Sequence, residues 1–230
     1  MRVRSLLFIS LFFSSSVAAW DQSILTDVRF SADGRYFSFV EFVEPEAEEQ
    51  GYAAMYVIDT AADGGTRQPA LRVDLDGEGA SGERALVQVR ADGRSLLDQL
   101  GLIDANPAVL PFQEVDRADP YNRRQIAGIP ELDGRLELTE RPAEGACCCS
   151  ADGAEAVDFT LVLDRAEPLI LATYSGALQP SLRCPEGYDI AAAFLHESSG
   201  QLVLAVLVGV YTPGWEGSDR HLIAVTKVLH

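Results

Sequence analysis

VRFSADGRYFSFVEF, residues 28 to 42, reads as two short β-runs joined at a turn. Branched and aromatic residues stand on both sides of Asp33-Gly34, a pair able to supply the positive φ angles of a tight reversal. YAAMYVIDT (52–60) continues as a third strand, and the acidic EPEAEEQG (44–51) between them reads as a solvated loop. A chain that opens on a hairpin and a following strand is expected to build antiparallel β structure.

The order FSADGRYF followed by YVIDT resembles a blade of the propeller-like repeats of periplasmic proteins, which implies several further blades. The triplet Ala-Asp-Gly does recur, at 32–34, 62–64, 91–93 and 151–153, with aspartate spacings of 30, 29 and 60. Its flanks do not match: FSADGRYFSF precedes a strand, whereas VRADGRSLLDQL carries a helical pattern. The recurrence is turn chemistry chosen repeatedly by an Ala/Asp/Gly-rich chain. Leu86, Val89, Gly93, Leu96 and Leu100 predict one helix over about 82–100, with Ser81 as its cap and Gly101 at its end. Gly93 costs such a helix about 1 kcal/mol relative to alanine. From 104 to 133 prolines 107, 111, 120 and 130 leave a loop-rich stretch. Six strands are expected beyond it: GRLELTER, VDFTLVLD, PLILATY, YDIAAAFLH, QLVLAVLVGVY and RHLIAVTKV. The expected class is mainly β with one substantial helix (α+β), as an antiparallel β-sandwich or partial propeller-like sheets.

The N-terminus sets the compartment. MRVR is cationic, SLLFISLFFSSSV is apolar, and VAA supplies small residues for cleavage after Ala19. Residues 1–19 are therefore read as a signal peptide and 20–230 as a single β-rich secreted domain, periplasmic or released. Trp20 and then Asp21, not a cysteine, stand directly after the cleavage point. LVLAVLVGVY (202–211) has strand length and is too short to span a bilayer, so no membrane insertion is expected once the signal is removed. The chain carries 18 basic and 35 acidic residues. Without Arg2 and Arg4, 16 basic residues face the same 35 acids, a net charge of −19. Such a surface repels phosphate backbones and anionic lipids, and nucleic acid is excluded as a partner.

Three cysteines stand together in EGACCCSADG (144–153), and Cys184 is the fourth. In an exported chain the default is a disulfide between Cys184 and one of Cys147, Cys148 or Cys149. No histidine lies near the run and no C-x₂-C pair supports a metal centre, so neither metal nor cofactor is expected. A cysteine-based metal-handling protein is the weakest of the readings. VDLDGEGASGE (73–83) copies the first half of a calcium loop through Asp74, Asp76, Glu78 and Gly79. Ala85 stands where the bidentate carboxylate belongs, and an exposed acidic turn is the simpler reading. There is no G-x-S-x-G, H-E-x-x-H, Walker or dinucleotide motif. HESSG (196–200) offers a single imidazole beside Glu197.

YTPGWEGSDRHLIAV (211–225) is the stretch that invites a ligand. Trp215 sits among turn formers, with Glu216, Asp219, Arg220 and His221 behind it. An arginine flanked by two acids and an aromatic suits a small polar ligand or a peptide, although a plain hairpin has the same composition. This stretch, together with FSADGRYFSFVEF, YVIDT and SLRCPEGYDI, resembles an uncharacterised family of bacterial predicted secreted proteins with a domain of unknown function. The resemblance covers most of the mature chain, with Pro-Gly-aromatic-Glu-Gly as its most specific part. It implies export and a shared fold, and transfers no activity. The three-cysteine run is not part of that pattern. The functional expectation is an exported, non-catalytic binding or interaction protein of the cell envelope. Its contact residues would be Trp215, Glu216, Asp219, Arg220 and His221, and its partner an envelope protein or a small polar ligand. The rival is a hydrolase working through carboxylates around Glu216 and Asp219.

Overall fold

The computed structural model describes residues 23–43, 50–62, 69–105, 107–108, 112–116, 124–146, 155–175, 184–198, 200–213 and 218–229. The opening stretch forms β1 (Ile24–Ser31) and β2 (Tyr36–Val43), paired antiparallel with Phe30 opposite Phe37. Its turn departs from the expected tight reversal. Among the described residues Gly34 alone of the turn takes positive φ (72°), and its N–H returns to the Ser31 carbonyl at 2.9 Å. Asp33 keeps negative φ and instead accepts from the Ser31 hydroxyl (2.6 Å) and the Arg35 N–H (3.1 Å). Four residues with one left-handed glycine join the strands, the longer of the common hairpin solutions.

β3 (Gln50–Asp59) and β4 (Leu71–Asp76) extend this sheet on one side, and β5 (Leu102–Asp104) adds to the far side of β1, giving the order β4-β3-β2-β1-β5. Alternation along β2 and β3 divides their side chains between two faces. Phe37, Phe39, Ala54, Tyr56 and Ile58 face the interior of the molecule, while Val40, Ala53 and Met55 face α1 (Gly82–Gln99). The helix has the expected bounds. Ser81 caps it by accepting the Arg84 N–H at 3.2 Å, and Gly101 leaves it at φ 60°. Its buried seam passes through Ala85, Leu86, Val89 and Gly93 to Leu97 rather than Leu96, as a 3.6-residue period requires. Gly93 has a purpose: a Cβ there would collide with the side chain of Met55.

β6 (Pro107–Ala108), β7 (Phe112–Asp116) and β8 (Arg124–Ile129) run through the stretch expected to be loop-rich, and a short 3-10 turn (Pro130–Leu132) follows. The strand signal in RQIAGI is weak for a physical reason. Only Gln125, Ala127 and Ile129 are buried, and one of those three is polar. β9 (Gly134–Ala146), β10 (Glu155–Asp164) and β11 (Leu169–Tyr174) complete a second sheet, β11-β10-β9-β8-β7. β12 (Gly187–Ser198), β13 (Gln201–Pro213) and β14 (Ser218–Leu229), with β6, make the third, β14-β13-β12-β6.

The third sheet is the middle layer. Val203, Ala205 and Leu207 of β13 pack on the first sheet, and Leu204, Val206, Val208 and Val210 pack on the second. Burial on both faces is why QLVLAVLVGVY is apolar without alternation. Each leucine or valine so covered contributes roughly 1.5 to 3 kcal/mol. The architecture is helix, sheet, sheet, sheet: an α+β sandwich of three antiparallel sheets, with no closed barrel and no ring of blades among the described residues. The middle sheet's edges are protected by polar side chains from its neighbours. The Gln125 amide donates to the Tyr188 carbonyl (2.8 Å) and accepts the Ile190 N–H (3.0 Å), and the buried Glu140 carboxylate accepts the Tyr188 N–H. An unpaired edge would otherwise strand these groups in the core.

Candidate functional site

β13 and β14 remain paired as far as Pro213 and Ser218, so the predicted contact stretch closes the hairpin of the middle sheet. Trp215 and Glu216 lie outside the described residues. Asp219, Arg220 and His221 open β14, opposite Thr212, Tyr211 and Val210. Asp219 is half-buried and His221 exposed.

Arg220 does not turn to its sequence neighbours. Its guanidinium meets Asp189 of β12 in a two-pronged pair, Nε to Oδ1 at 3.0 Å and Nη2 to Oδ2 at 2.9 Å. The two side chains are only 14% and 20% exposed. To meet they cross the central strand β13, and they do so at Gly209, where a Cβ would collide with both. The Tyr211 ring lies 5.9 Å from the guanidinium. Burial works against the charge of Arg220, but the Asp189 carboxylate outweighs it and raises the arginine's pKa. Burial first and the Asp189 charge second push the Tyr211 phenol up. The backbone is held as well: the Arg220 carbonyl accepts from both the N–H (3.1 Å) and the hydroxyl (2.6 Å) of Ser23.

Two residues further along β14 a second buried acid is engaged. Glu41, fully buried on β2, accepts the Leu222 N–H through Oε2 at 2.9 Å. Its Oε1 accepts the hydroxyls of Tyr56 (2.8 Å) and Tyr52 (3.1 Å). Three donors on one carboxylate satisfy a group that would be costly to bury alone. Desolvation first and the nearby Glu41 charge second push both phenols above the ordinary tyrosine range. At the surface the Arg72 guanidinium lies 4.8 Å over the Tyr52 ring, and the His221 ring meets Tyr52 edge-on at 6.5 Å. Around the hairpin end, Tyr52, Arg72 and His221 therefore form a mixed aromatic and cationic rim over a satisfied interior.

Asp189, Gly209 and Glu41 were not singled out in the sequence. Gly209 was the available signal, since a glycine inside a fully apolar strand marks a close approach by another group. Asp74 is held in a bidentate pair by Arg72 at 2.7 and 2.8 Å, a bond that lowers its pKa. Cys184 is buried and takes φ 62°. Cys147, Cys148 and Cys149 lie outside the described residues. Among the described residues no group of three or more His, Cys, Asp or Glu side chains is placed to hold a metal. No helix among them is long and apolar enough to cross a membrane.

The chain belongs to a family described as predicted secreted protein, DUF2259, whose model matches residues 46–227. The match begins after the β1–β2 hairpin and takes in β12, β13 and all but the last two residues of β14. No curated protein and no solved structure matches the chain.

Proposed function

We propose that this chain is an exported, non-catalytic binding protein of the cell envelope, periplasmic or released, and that the β13–β14 hairpin end is its contact surface. The observation that supports this is the way the hairpin base is held. An ion pair as buried as Arg220–Asp189 adds little stability over apolar residues of the same volume, because both charges lose their water. What it adds is geometry. With Glu41 and Ser23 it fixes the start of β14 from three sides, and loops on so rigid a base are where recognition concentrates. Trp215, Glu216, Asp219 and His221 would supply the contacts, and an envelope protein or a small polar ligand would take them. We further propose a disulfide between Cys184 and one of Cys147, Cys148 or Cys149, closing a loop of about 35 residues and contributing roughly 3 to 4 kcal/mol. Intact mass before and after reduction and alkylation tests it: four alkylated thiols without reduction would remove the bond.

The contact surface is tested with a photoreactive residue at position 215 in the exported protein, and a control at Ile170, an exposed position on β11. The expected result is a discrete adduct from 215 that the control does not give. Identical products from both positions, or none, would discard the hairpin end as the contact surface.

A further inference from the structure

We propose that a second site, independent of the hairpin end, lies between α1 and β1 and binds a small oxyanion through Arg94. The groove holds about 280 Å³ and is lined by Asp27, Arg29, Arg90, Arg94, Leu97 and Asp98. Three arginines line it in a chain where 35 acids face 18 bases.

The groove is built by a fault in β1. Pairing with β2 slips between Thr26 and Arg29, and Asp27 takes φ 51°. Leu25, Val28 and Phe30 all pack on the interior core, a spacing of three and then two that a regular strand does not allow. Aspartate tolerates the left-handed conformation better than most residues, and a non-glycine residue held there is a frequent mark of a functional position. Asp27 then orients Arg90 across the groove, with Nε to Oδ2 at 2.5 Å and Nη2 to Oδ1 at 3.2 Å. The same Nη2 also reaches the Thr26 hydroxyl at 3.2 Å. Arg29 is oriented by Asp104, Nε to Oδ1 at 2.9 Å.

Arg94 has no such partner among the described residues. It stands one helical turn after Arg90, where two like charges repel and weaken a helix by a few tenths of a kcal/mol. An anion seated between them turns that repulsion into attraction, and a planar guanidinium matches a carboxylate or phosphate edge with two parallel bonds. Leu97 gives the groove an apolar wall, and Asp98 places a negative charge at its mouth. That charge disfavours large polyanions, so the ligand class is a small oxyanion.

The probes are inorganic phosphate and succinate, titrated separately by calorimetry into the full mature chain at constant ionic strength set with chloride. Arg94→Gln removes the seat, and Arg141→Gln, an exposed arginine on the second sheet, controls for general charge. Saturable binding that weakens at least about tenfold in Arg94→Gln and persists in Arg141→Gln supports the site. Binding of phosphate alone, of succinate alone or of both identifies which oxyanion it takes. Binding unchanged in Arg94→Gln, equally weakened by both substitutions, or undetectable with both probes overturns it. The crosslink at position 215 reports on other residues, so either proposal can fail alone.

Discussion

Arg220 and Arg94 show two uses of the same side chain. Arg220 looked available in the sequence, flanked by Asp219 and His221, yet its charge is committed to Asp189, 31 residues away. Arg94 was not singled out in the sequence, yet it lines a groove where two neighbouring arginines are paired and it has no partner among the described residues. Local crowding of charges says little about which of them are already committed inside the fold. That depends on which strands lie side by side, and β12, β13 and β14 bring Asp189, Gly209 and Arg220 together from separate segments.

The hardest test of this contrast is the hairpin base itself. Glu41→Leu takes the acceptor from the buried Tyr56 phenol and Leu222 N–H and from the half-buried Tyr52, and is expected to cost roughly 3 to 5 kcal/mol. Glu41→Gln, which keeps one oxygen, should cost clearly less. Urea midpoints of both variants check the ordering, and equal losses would mean the carboxylate is not the centre of the network. Arg220→Met strands Asp189 and is expected to cost about 3 kcal/mol, with much of that loss recovered in the double variant Asp189→Leu/Arg220→Met. Simple additivity in that cycle would show that the pair does not act as a unit.

Alkali should find the same region. The raised phenols of Tyr52 and Tyr56 stay protonated in the folded chain after their unfolded counterparts ionise near pH 10. Their contribution is complete below about pH 10 and is lost as the pH rises, by roughly 1.4 kcal/mol for each tyrosine at pH 11. Urea midpoints at pH 9, 10 and 11 measure the slope. Tyr211, also raised, adds to the same slope, so Tyr56→Phe should remove about one tyrosine's share of it, and an unchanged slope would place the titration elsewhere.

Most of the fold was legible. Alternation marked β2, β9 and β10, an unbroken apolar run marked the doubly covered β13, and Ser81 and Gly101 marked the helix ends. What escaped had weak local signals. β8 hides because Gln125 spends a core position on bonding the edge of another sheet. The turn at Gly34 was read as tighter than it is because Asp33 uses its side chain, rather than a left-handed backbone, to close the loop. Of the candidate contact residues, the sequence located the stretch but not its supports. Asp189 and Glu41 lie 31 and 181 residues from the groups they bind, and no spacing rule joins them.

The smallest expected effect sharpens the contrast most. Arg94→Gln should change the unfolding free energy by no more than about 0.5 kcal/mol, because an exposed arginine without a partner leaves nothing behind unsatisfied. The repulsion with Arg90 that it relieves and the attraction to Asp98 that it gives up, each four residues away on the helix, are of similar size and oppose each other. The same kind of substitution at Arg220 leaves the half-buried Asp189 without the guanidinium that holds it at 2.9 and 3.0 Å. Measured side by side in urea, the pair separates a guanidinium that the fold consumes from one that it leaves free for a ligand. A loss at Arg94 comparable to that at Arg220 would place Arg94 in the folding interactions of α1 and remove the groove's claim to an unspent charge.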